Sequence, residues 1–246
     1  MEIQGILQQG LEAYGLAGRT RPGAVHSLDA YCRLLLEKNR EMNLTAITDP
    51  VEAANLHMLD CAALLGCADF DGEKTLIDVG TGAGFPGVVL KILAPSLRLT
   101  LLDSLNKRLD WLGELCGALG LDGVSTLHAR AEEAGHNPIL REQFDYATAR
   151  AVASLDVLCE LCLPFVTPGG AFLAMKGRDC GGELQNAAPA IRELGGELER
   201  CWDYAIPGTD VIHRVVVIRK TAPTPGRYPR RWAKIQKNSL SSHNRS

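Results

Sequence analysis

The feature that most constrains the fold is a regular alternation of strand-like and helix-like segments over residues 75–219. Short apolar runs such as TLIDV at 75–79 and FDYATAR at 144–150 are separated by longer segments with helical periodicity. Strands and helices that alternate at this spacing form βαβ units with right-handed crossovers. The pattern therefore predicts an α/β protein with a mainly parallel sheet.

The individual elements can be placed from the same pattern. Further strands are predicted at 97–103, 124–129, 169–177 and 212–219, with another possible strand near 200–205, and helices at 85–94, 106–119, 154–166 and 181–195. In such a sheet a ligand binds outside the carboxyl ends of the strands, beside the first strand. Candidate site residues are therefore sought at the strand ends.

Two helices are predicted ahead of the first strand. Over residues 25–39, apolar side chains recur at i, i+3, i+4, i+7 and i+8 from Leu28, which is typical of an amphipathic helix. The sequence Asp49-Pro50-Val51-Glu52 combines an N-cap acid with proline at the first helical position, and it predicts a second helix that runs to about Leu65. A helical N-terminal cap is thus expected over residues 1–70.

The chain of 246 residues is 46% hydrophobic and 22% charged, as in ordinary globular proteins. No apolar run approaches the roughly 18 residues of a membrane span, and the N-terminus lacks the pattern of a signal peptide. We therefore expect a cytoplasmic protein. The single C-x-x-C, at 159–162, has no second pair to complete a metal site, so the eight cysteines are predicted to be reduced and mostly buried.

Charge is distributed unevenly along the chain. Between Val211 and Ser246 there are nine basic residues and no acid, whereas the remaining residues carry 17 basic and 29 acidic side chains. This asymmetry favours an acidic body with a basic arm, placed at residues 221–246, that binds a polyanion. A solvated tail without a partner is the alternative.

Residues 77–87, IDVGTGAGFPG, form a glycine-rich loop after the first strand. Gly82, Gly84 and Gly87 match the G-x-G-x-x-G spacing, and Gly80 begins a second, overlapping G-x-G. Asp103 ends the second strand 21 residues after Gly82, where a carboxylate can accept hydrogen bonds from ribose hydroxyls. These features serve NAD and S-adenosylmethionine equally well.

Three details favour S-adenosylmethionine. Asp78 would repel a pyrophosphate but suits a ligand with an ammonium and a sulfonium group. Ala131 and Glu132 follow the third strand, where an acid and backbone N–H groups can read an adenine edge. About 70 residues precede the loop, whereas dinucleotide domains often begin near their first strand. A site for a cationic methyl donor is therefore predicted.

The absence of two motifs narrows the class of methyl acceptor. The sequence contains neither a Pro-Pro-aromatic loop after the fourth strand, common in enzymes that methylate exocyclic amines, nor a Pro-Cys pair for attack on pyrimidine carbon-5. Arg150 follows the fourth strand instead, and a cation there can orient the cofactor or the acceptor but cannot act as a general base. This suits an acceptor that is already nucleophilic, such as guanine N7, with catalysis by alignment.

Several segments together resemble the RsmG (GidB) family of methyltransferases. They are NLTAITD at 43–49, LHMLD at 56–60, the glycine loop, LLDSLNKR at 101–108, ARA at 149–151, MKG at 175–177 and YPRR at 228–231. The resemblance implies a Rossmann-like class I S-adenosylmethionine-dependent fold, with a mainly parallel sheet, a final antiparallel strand and a methyltransferase domain at 71–220. It further implies methylation of N7 of a guanosine, nucleotide 527, in the 530 loop of 16S rRNA.

The resemblance also assigns residues. It implies cofactor contacts at Gly80, Phe85, Ala131, Glu132 and Arg150, and a basic surface for RNA that includes Lys176, Arg230 and Arg231. His57 is a further candidate for contact with RNA. At i and i+3, His57 and Asp60 either line the pocket or form a pair on a helix surface.

The expected partner is 16S rRNA or the small ribosomal subunit, with no membrane, no metal and a monomeric enzyme. Two other functions are considered. A small-molecule methyltransferase shares every feature except a reason for the basic arm. A non-catalytic RNA-binding protein on a degenerate cofactor fold is the second, and no filled or acid-blocked glycine loop supports it.

Overall fold

The computed structural model describes residues 2–150 and 153–241, and within them the strands form one seven-stranded sheet of order β3-β2-β1-β4-β5-β7-β6. The strands are β1 Thr75–Val79, β2 Arg98–Asp103, β3 Val124–His128, β4 Phe144–Arg150, β5 Val166–Gly177, β6 Gly196–Ala205 and β7 Ile212–Lys220. β1 to β5 pair in parallel, and β7 runs antiparallel to both β5 and β6. The predicted mainly parallel sheet with an antiparallel strand is confirmed.

Helices cover both faces of the sheet. They are α1 Ile3–Ala13, α2 Ala24–Met42, α3 Pro50–Ala53, α4 Asp60–Ala62, α5 Gly87–Leu93, α6 Asn106–Ala118, α7 Ala131–Ala134, α8 Leu155–Cys162, α9 Gly181–Glu193 and α10 Trp232–Lys237. Helix α1 was not predicted from the sequence. Its buried face includes Gly10, because any side chain at this position would collide with Leu59. A glycine in place of an apolar residue weakens the hydrophobic periodicity by which the helix could have been recognised.

The helix predicted from Asp49 to about Leu65 is irregular in the structure. Asp49 caps it as expected, since its carboxylate accepts hydrogen bonds from the N–H groups of Val51 and Glu52 at 2.9 Å. Regular α-helix ends at Ala53, however, and a π-helix follows over Ala54–Leu59 before α4 and a final 3₁₀ turn. π-helical turns are rare in proteins, and those that do occur are often found at functional sites.

Two hydrophobic cores lie on opposite faces of the sheet. On one face, buried residues of the N-terminal helices such as Leu7 and Leu28 pack in one cluster with Val88 of α5 and Leu101 of β2. The second core lies under α8 and α9 and includes Ile235 of α10. Residues 2–66 therefore share a core with the sheet, which fixes the helical segment at 50–66 beside the strand ends.

The segment after β7 is folded against the sheet domain. Arg141 donates hydrogen bonds to the carbonyl oxygens of Thr224 at 2.7 Å and Tyr228 at 2.9 Å, and Tyr228 itself is buried. Ile235 is fully buried in the second core. The described part of the C-terminal arm is thus a docked strap.

Among the described residues no helix has the length and apolar character that a membrane span requires. The prediction of mostly buried cysteines is confirmed, because Cys201 alone among the eight is exposed. Cys159 and Cys162 of the C-x-x-C lie in the second core, where burial raises the pKa of both thiols.

Candidate active site

A cleft of about 430 Å³ opens where the carboxyl ends of β1, β2, β3 and β4 meet. Its wall includes most of the residues that the sequence analysis assigned to a cofactor: Gly80, Gly82, Phe85, Asp103, Ala131, Glu132 and Arg150. The ends of parallel strands converge at one edge, which explains how residues 70 positions apart come together. The volume falls within the range of small-molecule sites.

The glycine loop is held by the backbone of the next strand. The N–H groups of Gly80 and Thr81 both donate to the carbonyl oxygen of Leu102, at 2.8 and 3.0 Å. Gly80 and Gly82 have φ values of 69° and 58°, in the left-handed region that favours glycine. The loop therefore turns sharply and leaves its backbone exposed to the cleft.

Asp103 connects the loop to the second strand. Its Oδ2 accepts from the N–H of Gly82 at 3.0 Å and contacts Arg108 at 3.4 Å, while Oδ1 accepts from the N–H of Leu105 at 2.9 Å. A carboxylate has about four lone-pair positions, so these bonds leave capacity for further donors. Asp103 keeps the position predicted for binding a ribose diol.

Asp78 has a different place from the one predicted. It is fully buried and is absent from the lining of the cleft, because its Oδ2 accepts from the Thr81 hydroxyl at 2.7 Å and from the N–H of Gly87 at 3.0 Å. Burial raises the pKa of this carboxyl to about 6, although the hydrogen bonds oppose the shift. Direct contact with a cofactor was therefore the wrong expectation, and Asp78 braces the loop from behind.

Gly84 also faces away from the cleft. A Cβ at this position would lie 2.6 Å from the Tyr31 hydroxyl and 2.9 Å from Leu112 Cδ2, and φ is +97°. The glycine therefore permits the loop to pack against α2 and α6. The predicted cofactor contact at Gly84 is replaced by a packing role.

Arg150 stands at the centre of the site. One guanidinium nitrogen donates to the Leu56 carbonyl and to Asp60 Oδ2, both at 3.1 Å, and another contacts His57 Nδ1 at 3.1 Å. The guanidinium carbon lies 4.6 Å from the centroid of the Phe85 ring, within cation–π range. Four partners thus fix this cation at the end of β4.

His57 is neutral in this arrangement. Since Nδ1 accepts from Arg150, the ring proton lies on Nε2, which donates to the Thr45 hydroxyl at 2.8 Å. Burial and the charge of Arg150 lower the pKa of His57 to about 4. The ring also stacks on Phe85 with centroids 4.6 Å apart. Both ring nitrogens are occupied.

Asp60 is nearly fully buried and accepts hydrogen bonds from three side chains. It accepts from Arg150, from the Tyr204 hydroxyl at 2.7 Å and from His213 Nδ1 at 2.8 Å. Burial alone would raise the pKa of Asp60, but the hydrogen bond from His213 and the charge of Arg150 outweigh it and lower the pKa. The same contact raises the pKa of His213. His57 and Asp60 therefore belong to the interior of the site and are not a surface pair.

A second cleft of about 540 Å³ adjoins the first. Arg150 and His57 line both clefts, and Asp60, Lys176, Glu183 and His213 line the second. The π-helix contributes because it places His57 on the wall between the two cavities while Asp60 follows at the start of α4. The site is thus a pair of cavities with a shared wall.

The cations predicted to meet RNA have different environments. Lys176 pairs with Glu183 at 2.7 Å, and Arg230 forms an ion pair of 2.6 Å with the buried Glu160. Arg231 is exposed. Arg230 is therefore half-buried and paired with a carboxylate, which does not match its prediction as a free surface cation, whereas Arg231 remains a candidate for RNA contact.

Several lining residues escaped the sequence analysis. Arg108 and Trp232 border the first cleft, and His213 borders the second. Arg108 lies in the first turn of α6, five residues after the end of β2, within the segment LLDSLNKR that carries the family resemblance. Trp232 and His213 reach the site through tertiary packing, and no local pattern marks them.

The sheet order, the loop after β1 and the acid at the end of β2 define a class I methyltransferase, and its cofactor is S-adenosylmethionine. The residues present fit that group. Asp103 and Glu132 offer carboxylates, Arg150 offers a cation for a carboxylate, and Phe85 and Leu161 offer apolar surface.

The chain belongs to the GidB family: the family profile described as rRNA small subunit methyltransferase G matches residues 24–201. Relatives named ribosomal RNA small subunit methyltransferase G agree over nearly the whole chain. The protein from Alkaliphilus metalliredigens is 47% identical over 94% of this chain and 96% of its own length. That from Symbiobacterium thermophilum is 46% identical over 96% of this chain and 98% of its own length.

Solved structures share the fold at lower identity. TrmN from Thermus thermophilus superimposes with a TM-score of 0.53 at 25% identity, over 74% of this chain and 53% of the TrmN chain, about half of that protein. A SAM-dependent O-methyltransferase from Thermotoga maritima gives a TM-score of 0.52 at 15% identity, over 76% of this chain and 72% of that one. This second likeness concerns the fold alone.

Proposed function

We propose that the protein transfers a methyl group from S-adenosylmethionine to N7 of a guanosine in the 530 loop of 16S rRNA, at nucleotide 527. Family membership supports a small-subunit rRNA substrate, since the relatives carry that activity in their names. The position and the atom come from the sequence resemblance and from the chemistry of the site. The proposed partner is 16S rRNA or the small subunit, in the cytoplasm.

The two adjoining clefts support a bisubstrate site. The first holds most of the predicted cofactor residues, and among the described residues the second shares Arg150 and His57 with it. An acceptor base in the second cleft would therefore meet the cofactor across these two side chains. Holding both reactants in one geometry can lower a barrier by roughly 7–11 kcal/mol.

The observation that carries the choice of N7 is the state of two titratable partners of Arg150, His57 at the shared wall and Asp60 in the second cleft. His57 uses both ring nitrogens, and burial keeps its pKa near 4. Asp60 accepts three donors, and its pKa is lowered. Neither is available to remove a proton from an acceptor. Guanine N7 has a free lone pair and loses no proton on methylation, so it suits such a site.

The walls of the second cleft also suit guanine. Guanine presents acceptors at O6 and N7 and donors at N1 and N2. Lys176 provides N–H donors on this wall, and the half-exposed Glu183 provides a carboxylate. A carboxylate pairs with two adjacent N–H groups of the kind that N1 and N2 present. The cleft therefore offers both hydrogen-bond donors and a carboxylate acceptor to a bound guanine.

RNA would be held beyond the clefts by the exposed side of the arm. Arg231, Lys234 and Lys237 are exposed on or beside α10, near Arg130 at the rim of the first cleft. Cations that neutralise phosphates release counterions and make binding dependent on salt. This surface gives the basic arm a role that a small-molecule methyltransferase would not need.

The test is transfer to ribosomal particles in vitro. Small subunits from cells that lack the enzyme are incubated with purified protein and labelled S-adenosylmethionine, and the rRNA is digested and mapped by mass spectrometry. We expect one 7-methylguanosine, at nucleotide 527. Label on an exocyclic amine, or at another nucleotide, would contradict the proposal.

Charge reversal separates an RNA enzyme from a small-molecule enzyme. In the variant with Arg231→Glu, Lys234→Glu and Lys237→Glu, we expect KM for small subunits to rise by at least tenfold, with an unchanged Kd for the cofactor, because about three phosphate contacts are lost. The matched control reverses three exposed arginines outside the arm, Arg19, Arg98 and Arg192. Equal turnover of the two variants would argue against an RNA role for the arm.

A further inference from the structure

One side chain of the C-terminal arm reaches the cofactor cleft. Trp232, the first residue of α10, is half-buried and lines that cleft together with Arg130 and Glu132. About 100 residues separate it from these neighbours in the sequence. Its position is therefore a product of how the arm docks.

The arm is fastened on both sides of Trp232. Before it, the backbone N–H and the Nε of Arg230 donate to Glu160 Oε1 at 2.8 Å, and the Pro229 carbonyl oxygen lies 2.6 Å from His136 Nε2. After it, Ile235 is fully buried in the core under α8. These anchors involve only this chain, so Trp232 is placed without any contribution from RNA.

The position within the cleft corresponds to the adenine end. Asp103, at the end of β2, marks the ribose, and Ala131 and Glu132 follow β3, one strand further from β1. Trp232 and Glu132 also line an outer cleft of about 560 Å³, which includes Arg231. The indole thus lies between the β3 side of the cofactor cleft and the outer surface of the arm.

We propose that Trp232 forms a wall of the cofactor site at its adenine end, and that cofactor binding and docking of the C-terminal arm stabilise each other. An aromatic face next to a purine contributes through stacking. Because coupling between two equilibria is reciprocal, an arm that improves cofactor affinity is itself held in place by the cofactor. The inference depends on the cofactor and is independent of the methyl acceptor.

The coupling has a consequence for catalysis. The arm carries Arg231, Lys234 and Lys237, the exposed cations assigned to RNA. When the cofactor is bound, the arm and its basic surface would therefore be docked in a larger fraction of the molecules than when the cofactor is absent. Cofactor binding would then favour productive binding of RNA.

The first test measures affinity by calorimetry, with S-adenosylhomocysteine as the probe. We expect Trp232→Ala to raise Kd about tenfold, within the range for loss of one base–aromatic contact. Trp232→Phe keeps an aromatic face and should change Kd by less than about threefold. The control is Gln236→Ala, an exposed position on the same helix, with an expected Kd equal to wild type. Equal Kd values for wild type and Trp232→Ala would overturn the proposal.

The second test uses the wild-type protein and requires no variant to fold. Trypsin has sites after Arg231, Lys234 and Lys237, and S-adenosylhomocysteine should slow cleavage at all three by several-fold. Cleavage after the exposed Arg19, in the N-terminal segment, serves as the internal control and should be unaffected. Arm cleavage at the same rate with and without the probe would contradict the coupling, whatever the acceptor proves to be.

Discussion

The two clefts of the active site are built by different means. The cofactor cleft is made largely of backbone and strand ends, with the glycine loop held by the Leu102 carbonyl and the Asp103 carboxylate. The second cleft is made of side chains from distant elements, with Asp60 at the centre of bonds to Arg150, Tyr204 and His213. A site made from strand ends can be found in a sequence, whereas a site made from a buried ionic network depends on tertiary structure.

The largest effect is expected at Arg150, which belongs to both clefts. Arg150→Ala removes the guanidinium from Leu56, His57 and Asp60, and we expect methyl transfer to fall by about 10²–10³-fold, as for loss of one preorganised donor. Circular dichroism should show a folded protein. Arg150→Lys is the control for charge, and it should rescue little because an ammonium cannot span the three partners. Wild-type turnover in Arg150→Ala would remove this residue from the mechanism.

Asp60→Asn should affect the second cleft more than the cofactor cleft. The shape is kept while the charge that holds Arg150 and His213 is lost, so we expect turnover to fall by about 10–100-fold, equivalent to about 1–3 kcal/mol. Calorimetry should give a cofactor Kd within about threefold of wild type. A large loss of cofactor affinity in this variant would mean that the two clefts are not separable.

The same variant has a pH signature. Asp60 raises the pKa of His213 in the folded protein, so their contact stabilises the fold fully below about pH 6.5 and is lost as pH rises through the folded pKa. Asp60→Asn should therefore reduce the free energy of unfolding more at pH 6 than at pH 9. Urea denaturation at the two pH values checks this, and an equal loss at both would contradict it.

Two glycines of the loop distinguish its two faces. Gly84→Ala places a Cβ 2.6 Å from the Tyr31 hydroxyl at a φ of +97°, and we expect it to lower the free energy of unfolding by about 2–4 kcal/mol. In Gly82→Ala the nearest atom to the new Cβ is the Gly80 carbonyl oxygen, at 3.9 Å, so the free energy of unfolding should fall by only about 1–2 kcal/mol. This variant should weaken cofactor binding more than Gly84→Ala does. Urea denaturation with calorimetry measures both quantities. Equal effects of the two variants would refute the division of the loop into a core face and a cleft face.

At Asp78 a substitution is expected to increase stability. Its pKa in the folded protein is about 6 against an ordinary 3.8, so the charged form is disfavoured and stability from this group rises as pH falls from about 6 toward 4. Asp78→Asn should lack that gain and should be more stable than wild type at pH 7, by up to about 3 kcal/mol. Parallel urea titrations at pH 4.5 and 7 provide the comparison. An acid-induced gain that persists in the variant would assign it to another group.

The sequence predicted most of the framework. The strands, the glycine loop and Asp103 carry local signals, because alternation, glycine spacing and strand ends are set by neighbouring residues. Local signals did not reveal which way each loop residue faces, and both Asp78 and Gly84 turn toward the core. They also did not reveal that Arg230 is neutralised by Glu160, 70 positions away. Such long-range pairings depend on the folded chain, which explains why the contacts that dock the arm were not predicted.

The central claim is methylation of one guanosine at N7, and its most direct test is nucleoside analysis of 16S rRNA from cells that lack this gene. The account predicts the loss of one 7-methylguanosine, at nucleotide 527, and its return when the wild-type gene is restored but not when Arg150→Ala is supplied. An unchanged 7-methylguanosine content at that position in the deletion strain would contradict it.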